Sequence, residues 1–329
     1  MGNPPDRSRS RYFWFALKLL ISVVLLAYLL TRTDLHAISS LLRSLHLPLL
    51  FASFLLYTLV QIISTLRWRS LLRAERIELS LWRLILLNFE GSFFSLMLPT
   101  LIGGDIVRGY QISRFTQRHE ASVASILVER LSGYAAINVI ACIALIFAYP
   151  HLRDPGLIWL TAVSMAGLAT IIAGLLNVRL QSFFYRVLHA AGLERFQGTL
   201  QRLYQAIRRY WSHRQALLIA LGLSLLLQCV IILVFYLISR SLNLAVPLGY
   251  FFLFIPLISL VSMAPVSIAG LGVREGTAVY LFAKVGLDSA SALSLSLLWF
   301  TVTALCHGLG GIVFLIGHPH RGARLEAKG

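Results

Sequence analysis

Charge is what this sequence has least of. Only 13% of its 329 residues are Asp, Glu, Lys or Arg, about half the share of a soluble domain. Acidic residues are the scarcer sign, 13 against 29 basic ones, while 58% of the chain is hydrophobic. Such a chain cannot cover itself with a water-soluble surface, so the class is an all-α polytopic integral membrane protein. Cysteine is nearly absent too. Cys142, Cys229 and Cys306 lie far apart in apolar stretches, with no CxxC and no His/Cys cluster. This excludes a disulfide framework and a zinc site. Walker A, GxSxG and HExxH motifs are missing, as is a carboxylate pair spaced for acid–base chemistry. No cofactor and no metal are expected. The net charge of +16 does not imply nucleic acid. The basic residues cluster between apolar runs, where orientation bias and anionic lipid account for them.

What is present is a series of long apolar runs. Six of them, at 12–31, 48–66, 122–148, 157–176, 215–238 and 290–316, come close to the roughly 20 residues a bilayer crossing requires. Arg7, Arg9 and Arg11 before the first run imitate a signal peptide. The run is too long for a signal core and no small-x-small site follows it, so a retained span is expected, with Lys18 reaching back to the interface. Cys306-His307 in the last run reads as helix packing.

Two further apolar segments, 81–104 and 248–272, end in the same motif. Met97-Leu98-Pro99-Thr100-Leu101-Ile102-Gly103-Gly104-Asp105-Ile106-Val107-Arg108 and Met263-Ala264-Pro265-Val266-Ser267-Ile268-Ala269-Gly270-Leu271-Gly272-Val273-Arg274 both read M-x-P-x3-[GA]-G-x2-V-R. Helix breakers beside a fixed Arg, in paired apolar segments, mark the broken-helix sites of membrane transporters. Both segments are therefore expected to be re-entrant hairpins.

Charge distribution agrees. With both hairpins re-entrant, the pieces 1–18, 67–83, 105–121, 177–214 and 317–329 fall on one side and hold 22 of the 29 basic residues, which makes that side cytoplasmic, with both termini on it. A pair of short complete crossings gives the same parity. The first hairpin then enters from the cytoplasm and the second from the opposite face. This is an inverted-topology repeat, 48–148 and 215–316, within one membrane domain. The connector 177–214 carries an amphipathic stripe (Leu180, Phe183, Phe184, Val187 and Leu188, then Phe196, Leu200, Leu203, Ile207 and Tyr210) with arginines elsewhere on its surface. It either lies in the headgroup plane or packs under the bundle.

Charges at bilayer depth are expensive and mark function. The candidates are Glu90, Asp105, Arg108, Glu129, Arg130, Arg274 and Glu275. Adjacent residues point about 100° apart on a helix, so Glu129 and Arg130 take different partners, Arg108 or Arg274 for the first and Glu90 or Asp105 for the second. Gly103, Gly104, Gly270 and Gly272 allow close backbone approach, and with Pro99 and Pro265 they open helix starts where an anion binds beside an arginine.

These residues, with Gly133 and Gly276, resemble the lysylphosphatidylglycerol synthase transmembrane, or flippase-like, family over about residues 12–317. Its members include the lipid-translocating half of bacterial lysylphosphatidylglycerol synthases and stand-alone proteins linked to glycolipid, polyprenyl-linked sugar or hopanoid pathways. Ala269 departs from the pattern, where many members carry Gly. The segment after the last span holds no aminoacyl-transferase domain, so the resemblance implies translocation of an anionic or glycosylated lipid in the cytoplasmic membrane, with no catalytic residue. The expected partners are membrane lipids, then a second copy of the chain or an envelope-synthesis protein. Competing readings are a lipid-modifying transferase with Asp105 or Glu129 as base, and a scaffold acting through the basic 177–214 segment.

Overall fold

The computed structural model describes residues 7–97, 103–152, 154–176, 197–264, 266–267 and 270–317. Pro99, Pro265, Ala269 and the first half of the connector stripe lie outside these. Every described element is helical. Five helices are long and apolar enough to cross a membrane, or six if α1 (Arg7–Arg32) and α2 (Leu35–Arg43), bent by 84° from one another, form one span. Asp34 starts α2 by accepting from the His36 and Ala37 N–H groups.

Two stretches have the same order of elements. The first is α3 (Leu47–Ala74), α4 (Leu81–Met97), α5 (Gly103–Thr116) and α6 (His119–Leu152). After α7 (Pro155–Leu176) and α8 (Gln197–Arg209), the second is α9 (Arg214–Ser241), α10 (Leu248–Ser262), α11 (Val273–Ala283) and α12 (Ser289–Gly317). Within each, the middle pair is an antiparallel hairpin. Arg83 sits over Phe115 and Glu90 meets Gln111 in the first, and Phe251 and Phe254 pack on Phe282 in the second. The arms of 17, 14, 15 and 11 residues rise about 25, 21, 22 and 16 Å, less than the roughly 30 Å of a hydrocarbon core.

α3 and α9 pack along one another in opposite directions. His46 N–H donates to the Ser241 carbonyl at one end (2.9 Å), and Arg67 bonds Ser224 toward the other (3.0 Å). The open ends of the two hairpins, beside the C-termini of α3 and α9, therefore lie at opposite ends of this pair. Each hairpin's first arm also packs on the closing helix of the other stretch, α4 on α12 and α10 on α6.

Hydropathy ends the first hairpin at residue 104 and assigns 105–121 to a cytoplasmic loop. The structure corrects that boundary, because α5 continues the hairpin through Thr116 and buries Asp105, Arg108, Gly109 and Ile112. An arm that faces protein on several sides need not be apolar. In the connector, α8 packs on α6, with Ala206, Ile207 and Tyr210 buried beside Leu71, Ala124, Val128 and Ala220. These residues therefore pack against the bundle, as one of the two arrangements expected for the connector requires.

The bundle is inverted relative to a soluble protein. Phe147, Trp159, Leu218 and Leu315 are exposed, whereas Glu90, Asp105, Arg108, Glu129 and Glu275 are buried. Phe235 stacks on Trp299 at 4.0 Å, with Tyr57 edge-on to the same indole, in the core between the stretches.

An ion pair between Asp154, in the α6–α7 turn, and Lys284, at the end of α11, ties the second hairpin to the first stretch. The hydrogen bond from Lys284, and then that from the Gly156 N–H, hold the Asp154 carboxyl below its ordinary range, and Asp154 and then Tyr280 hold Lys284 above its own. A depressed carboxyl stabilises the fold above its unfolded-state pKa and loses that contribution as pH falls through the folded value. Asp154→Asn is therefore expected to cost under about 1 kcal/mol at neutral pH. It should also flatten the decline of thermal stability below about pH 4. Unfolding scans across pH read this directly, and an unaltered acid limb rejects it.

Candidate functional site

Polar residues of α3 recur on one face as Tyr57, Gln61, Ser64 and Arg67, and those of α4 as Asn88, Gly91, Ser92 and Ser95. Helical spacing of three and four residues turns both sets toward a common interior. With Gly104, Asp105 and Arg108 of α5, Glu129 and Arg130 of α6, Leu227 of α9 and His307 of α12, they enclose a chamber of about 300 Å³.

Five charges form an alternating chain through its wall. Arg67 Nη2 donates to Glu129 Oε1 at 2.9 Å, and Arg108 Nη2 to Glu129 Oε2 at 2.8 Å. Arg108 also faces Asp105 at 3.6 Å, and Asp105 accepts from Arg130 Nε at 2.7 Å. The order is Arg67, Glu129, Arg108, Asp105, Arg130, so one positive charge is left over. The first four are buried, whereas the side chain of Arg130 is 54% exposed. Arg108 lies 4.0 Å above the Trp68 ring, whose indole N–H donates to Ser125.

Glu129 and Arg130 diverge as their adjacency requires. Of the alternatives posed by the sequence, Glu129 takes Arg108 and Arg130 takes Asp105. Glu90 instead accepts from Gln111 at 2.6 Å and fastens α4 to α5. Asp105 stands in the first turn of α5, where the N-terminal dipole favours a carboxylate. The Arg67 and Arg108 Nε atoms are buried without a hydrogen-bond partner. Such orphaned donors are costly and want an acceptor.

The glycines set how close the arms come. A Cβ on Gly104 would stand 2.0 Å from the Gly91 carbonyl oxygen, and one on Gly91 would stand 2.6 Å from Arg108 Cγ. Small residues here let Arg108 lie flat against α4.

The second motif builds something else. Gly270 and Gly272 take φ of 77° and 81°, and the Gly272 N–H donates to Glu275 Oε2 at 2.7 Å, closing the start of α11. The fully buried Glu275 also accepts from its neighbour Arg274 and from Ser296. A Cβ on Gly272 would strike Leu25 Cβ at 2.7 Å, so this tip is seated against α1. The described residues of the second hairpin contribute nothing to the chamber wall. Among the described residues, Arg108 lines this chamber and Arg274 does not. The cause is local, since Glu275 holds Arg274 at its own helix start.

Arg67, Gln61, Asn88 and Ser224 enter the site without being singled out by the sequence, and His307, read there as helix packing, lines the chamber. Arg67 escapes because the apolar run stops at 66, although α3 continues to Ala74. The spacing Tyr57, Gln61, Ser64, Arg67 was its available signal. His307 faces Tyr57 Oη at 3.1 Å, and Cys306 faces Thr58 at 3.7 Å. Among the described residues, no group of three or more His, Cys, Asp or Glu side chains forms that could hold a metal.

An alternating ion chain thus surrounds a polar void inside an apolar-skinned bundle. No curated protein and no solved structure matches the chain. The model of the lysylphosphatidylglycerol synthase TM region, by contrast, matches residues 15–311. The chain belongs to that family.

Proposed function

We propose that this multi-pass membrane protein, of a family tied to lipid synthesis or translocation, moves a lipid between leaflets, with an anionic or glycosylated headgroup passing through the chamber and the acyl chains remaining in the bilayer. The observation that carries this is the net positive chamber with two buried guanidinium N–H groups lacking partners. A phosphate or carboxylate oxygen supplies what Arg67 and Arg108 lack. Two hairpins opening at opposite ends of the α3–α9 pair support an inverted-topology repeat, and that architecture supports access from alternate sides. Asp105 and Glu129 then serve as counter-ions that release the arginines to the headgroup and take them back. In this reading the α3 C-terminal end faces the cytoplasm of a cell bounded by this membrane, where the basic residues concentrate.

Proteoliposomes carrying a fluorescent anionic phospholipid test it through the rate at which inner-leaflet label emerges to a membrane-impermeant quencher outside. Arg108→Ala is expected to slow exchange by about tenfold or more, since a charge-assisted hydrogen bond contributes about 1.5–3 kcal/mol. Exchange equal to that of protein-free vesicles, or unchanged in Arg108→Ala, would sink the proposal.

A further inference from the structure

A second polar cavity, of about 650 Å³, opens where α3 ends and α6 begins, and it shares no lining residue with the chamber. Its wall holds Arg76, Arg118, Arg202, Arg209 and His213 against two acidic residues, Glu75 and Glu120. Even with every histidine neutral, two positive charges are in excess.

The acidic residues are occupied in fixing arginines. Glu75 accepts from Arg209 Nη2 at 2.9 Å, its backbone carbonyl accepts from Arg118 Nη1 at 2.9 Å, and Glu120 accepts from Arg202 Nε at 2.6 Å. A guanidinium has five N–H donors in a rigid fork. The pairing therefore anchors Arg118 and Arg209 by one edge and leaves their other donors unspent by these bonds. The exposed Arg76 side chain has no ion-pair partner among the described residues.

The backbone supplies an independent observation. Arg76 and Gln117 have φ of 56° and 54°, two of the three non-glycine residues in the left-handed region among the described residues. Each follows the end of a helix. The Ile77 N–H returns to Leu72 O at 2.9 Å across Arg76, and the Gln117 N–H returns to Ser113 O at 2.8 Å. Glycine is the residue such helix ends favour. At both ends a long polar side chain stands in its place, and both residues line this one cavity. Strained positions of this kind gather at binding sites.

We propose that this cavity binds a phosphate group, carried either by a lipid headgroup at the membrane surface or by a soluble phosphate compound. Arg76, Arg118 and Arg209 donate to its oxygens, with Gln117 and His213 completing the shell. Guanidinium forks match the oxygen spacing of phosphate.

The test uses the purified full chain. Titration calorimetry with inorganic phosphate in neutral detergent forms one arm. The other compares nanodiscs containing phosphatidic acid with nanodiscs of phosphatidylcholine alone, read as the shift in thermal unfolding. Arg76→Gly with Gln117→Gly is expected to keep or raise the phosphate-free unfolding temperature, because both positions favour glycine, while weakening phosphate binding at least about tenfold. His213→Gln is the second variant, expected to weaken binding without altering either helix end. Arg108→Ala, which weakens the chamber's own hold on an anion, is expected to leave in place the phosphate binding that the glycine pair removes. Response to phosphatidic acid alone assigns the site to a lipid headgroup, and response to free phosphate assigns it to a soluble ligand. The proposal is overturned if the wild type answers neither probe, if the glycine pair and His213→Gln both bind like the wild type, or if Arg108→Ala is the variant that abolishes binding.

Discussion

Glu129→Gln is expected to lower the stability of the protein by about 3–5 kcal/mol, the range seen when one partner of a buried ion pair is removed. Glu129 is 3% exposed and is the only carboxylate between Arg67 and Arg108, each of which donates to one of its oxygens. Glutamine keeps the size but removes the charge, leaving two guanidinium groups in a low-dielectric interior with Asp105 to share. Arg108 has Asp105 at 3.6 Å, but Arg67 is left with Ser224 alone. The cost should therefore fall mainly on Arg67, and adding Arg67→Met to Glu129→Gln should recover at least half of it. Denaturant titration of the protein in detergent micelles, read by the change in midpoint, measures both variants. A loss under about 1 kcal/mol for Glu129→Gln would mean that the ion chain is solvated and does not support the fold.

Gly310→Ala is also expected to be damaging, for a reason unrelated to charge. A Cβ there would lie 1.9 Å from the Phe89 carbonyl oxygen and 2.6 Å from its carbonyl carbon. These are backbone atoms, so no side chain can swing aside, and α12 must separate from the first hairpin. Overpacking of this kind costs about 1–3 kcal/mol or more, and the displaced α4 carries Asn88, Ser92 and Ser95 of the chamber with it. Gly104→Ala meets the same obstacle within the hairpin, at 2.0 Å from the Gly91 oxygen. Gly308, two residues earlier on α12, has nothing within 4 Å of an added Cβ. Gly308→Ala is expected to be neutral or to stabilise by about 0.5–1 kcal/mol through helix propensity. Thermal unfolding of the α12 pair gives a sharp contrast. Equal behaviour of Gly308→Ala and Gly310→Ala would reject the close packing of α4 on α12.

Long apolar helices were legible because a bilayer demands about 20 apolar residues whatever the neighbours do. α3, α6, α7, α9 and α12 all appear where the apolar runs stand, and α3, α6 and α9 are extended by polar residues at their ends. The outgoing arm α5 was not legible in the same way. Its Gly, Asp, Arg, Gln and Ser residues look like a loop because the surfaces they meet are supplied by α4 and α6, which are distant in hydropathy terms. Asp105, Arg108, Glu129 and Arg130 could be picked out from the sequence as charges too costly to bury without purpose. Arg67 could not, since its position one residue past the apolar run resembles an ordinary cytoplasmic flank. The matched motif had a converse effect. It pairs Arg108 with Arg274 by spacing, yet spacing carries no information on the next residue's side chain, and Glu275 claims Arg274 where Gly109 leaves Arg108 free to reach Glu129.

The sequence by itself determined a helical membrane protein with two broken apolar segments and a handful of intramembrane charges, because hydropathy and helix breaking are local properties of the chain. Which charge meets which was decided only by tertiary structure. An ion pair such as Arg67–Glu129 joins residues 62 positions apart, and its geometry depends on how α3, α5 and α6 cross. How closely α5 and α12 lie on α4 is likewise set by carbonyl-to-glycine contacts at Gly104 and Gly310, where a fraction of an ångström decides whether two helices touch.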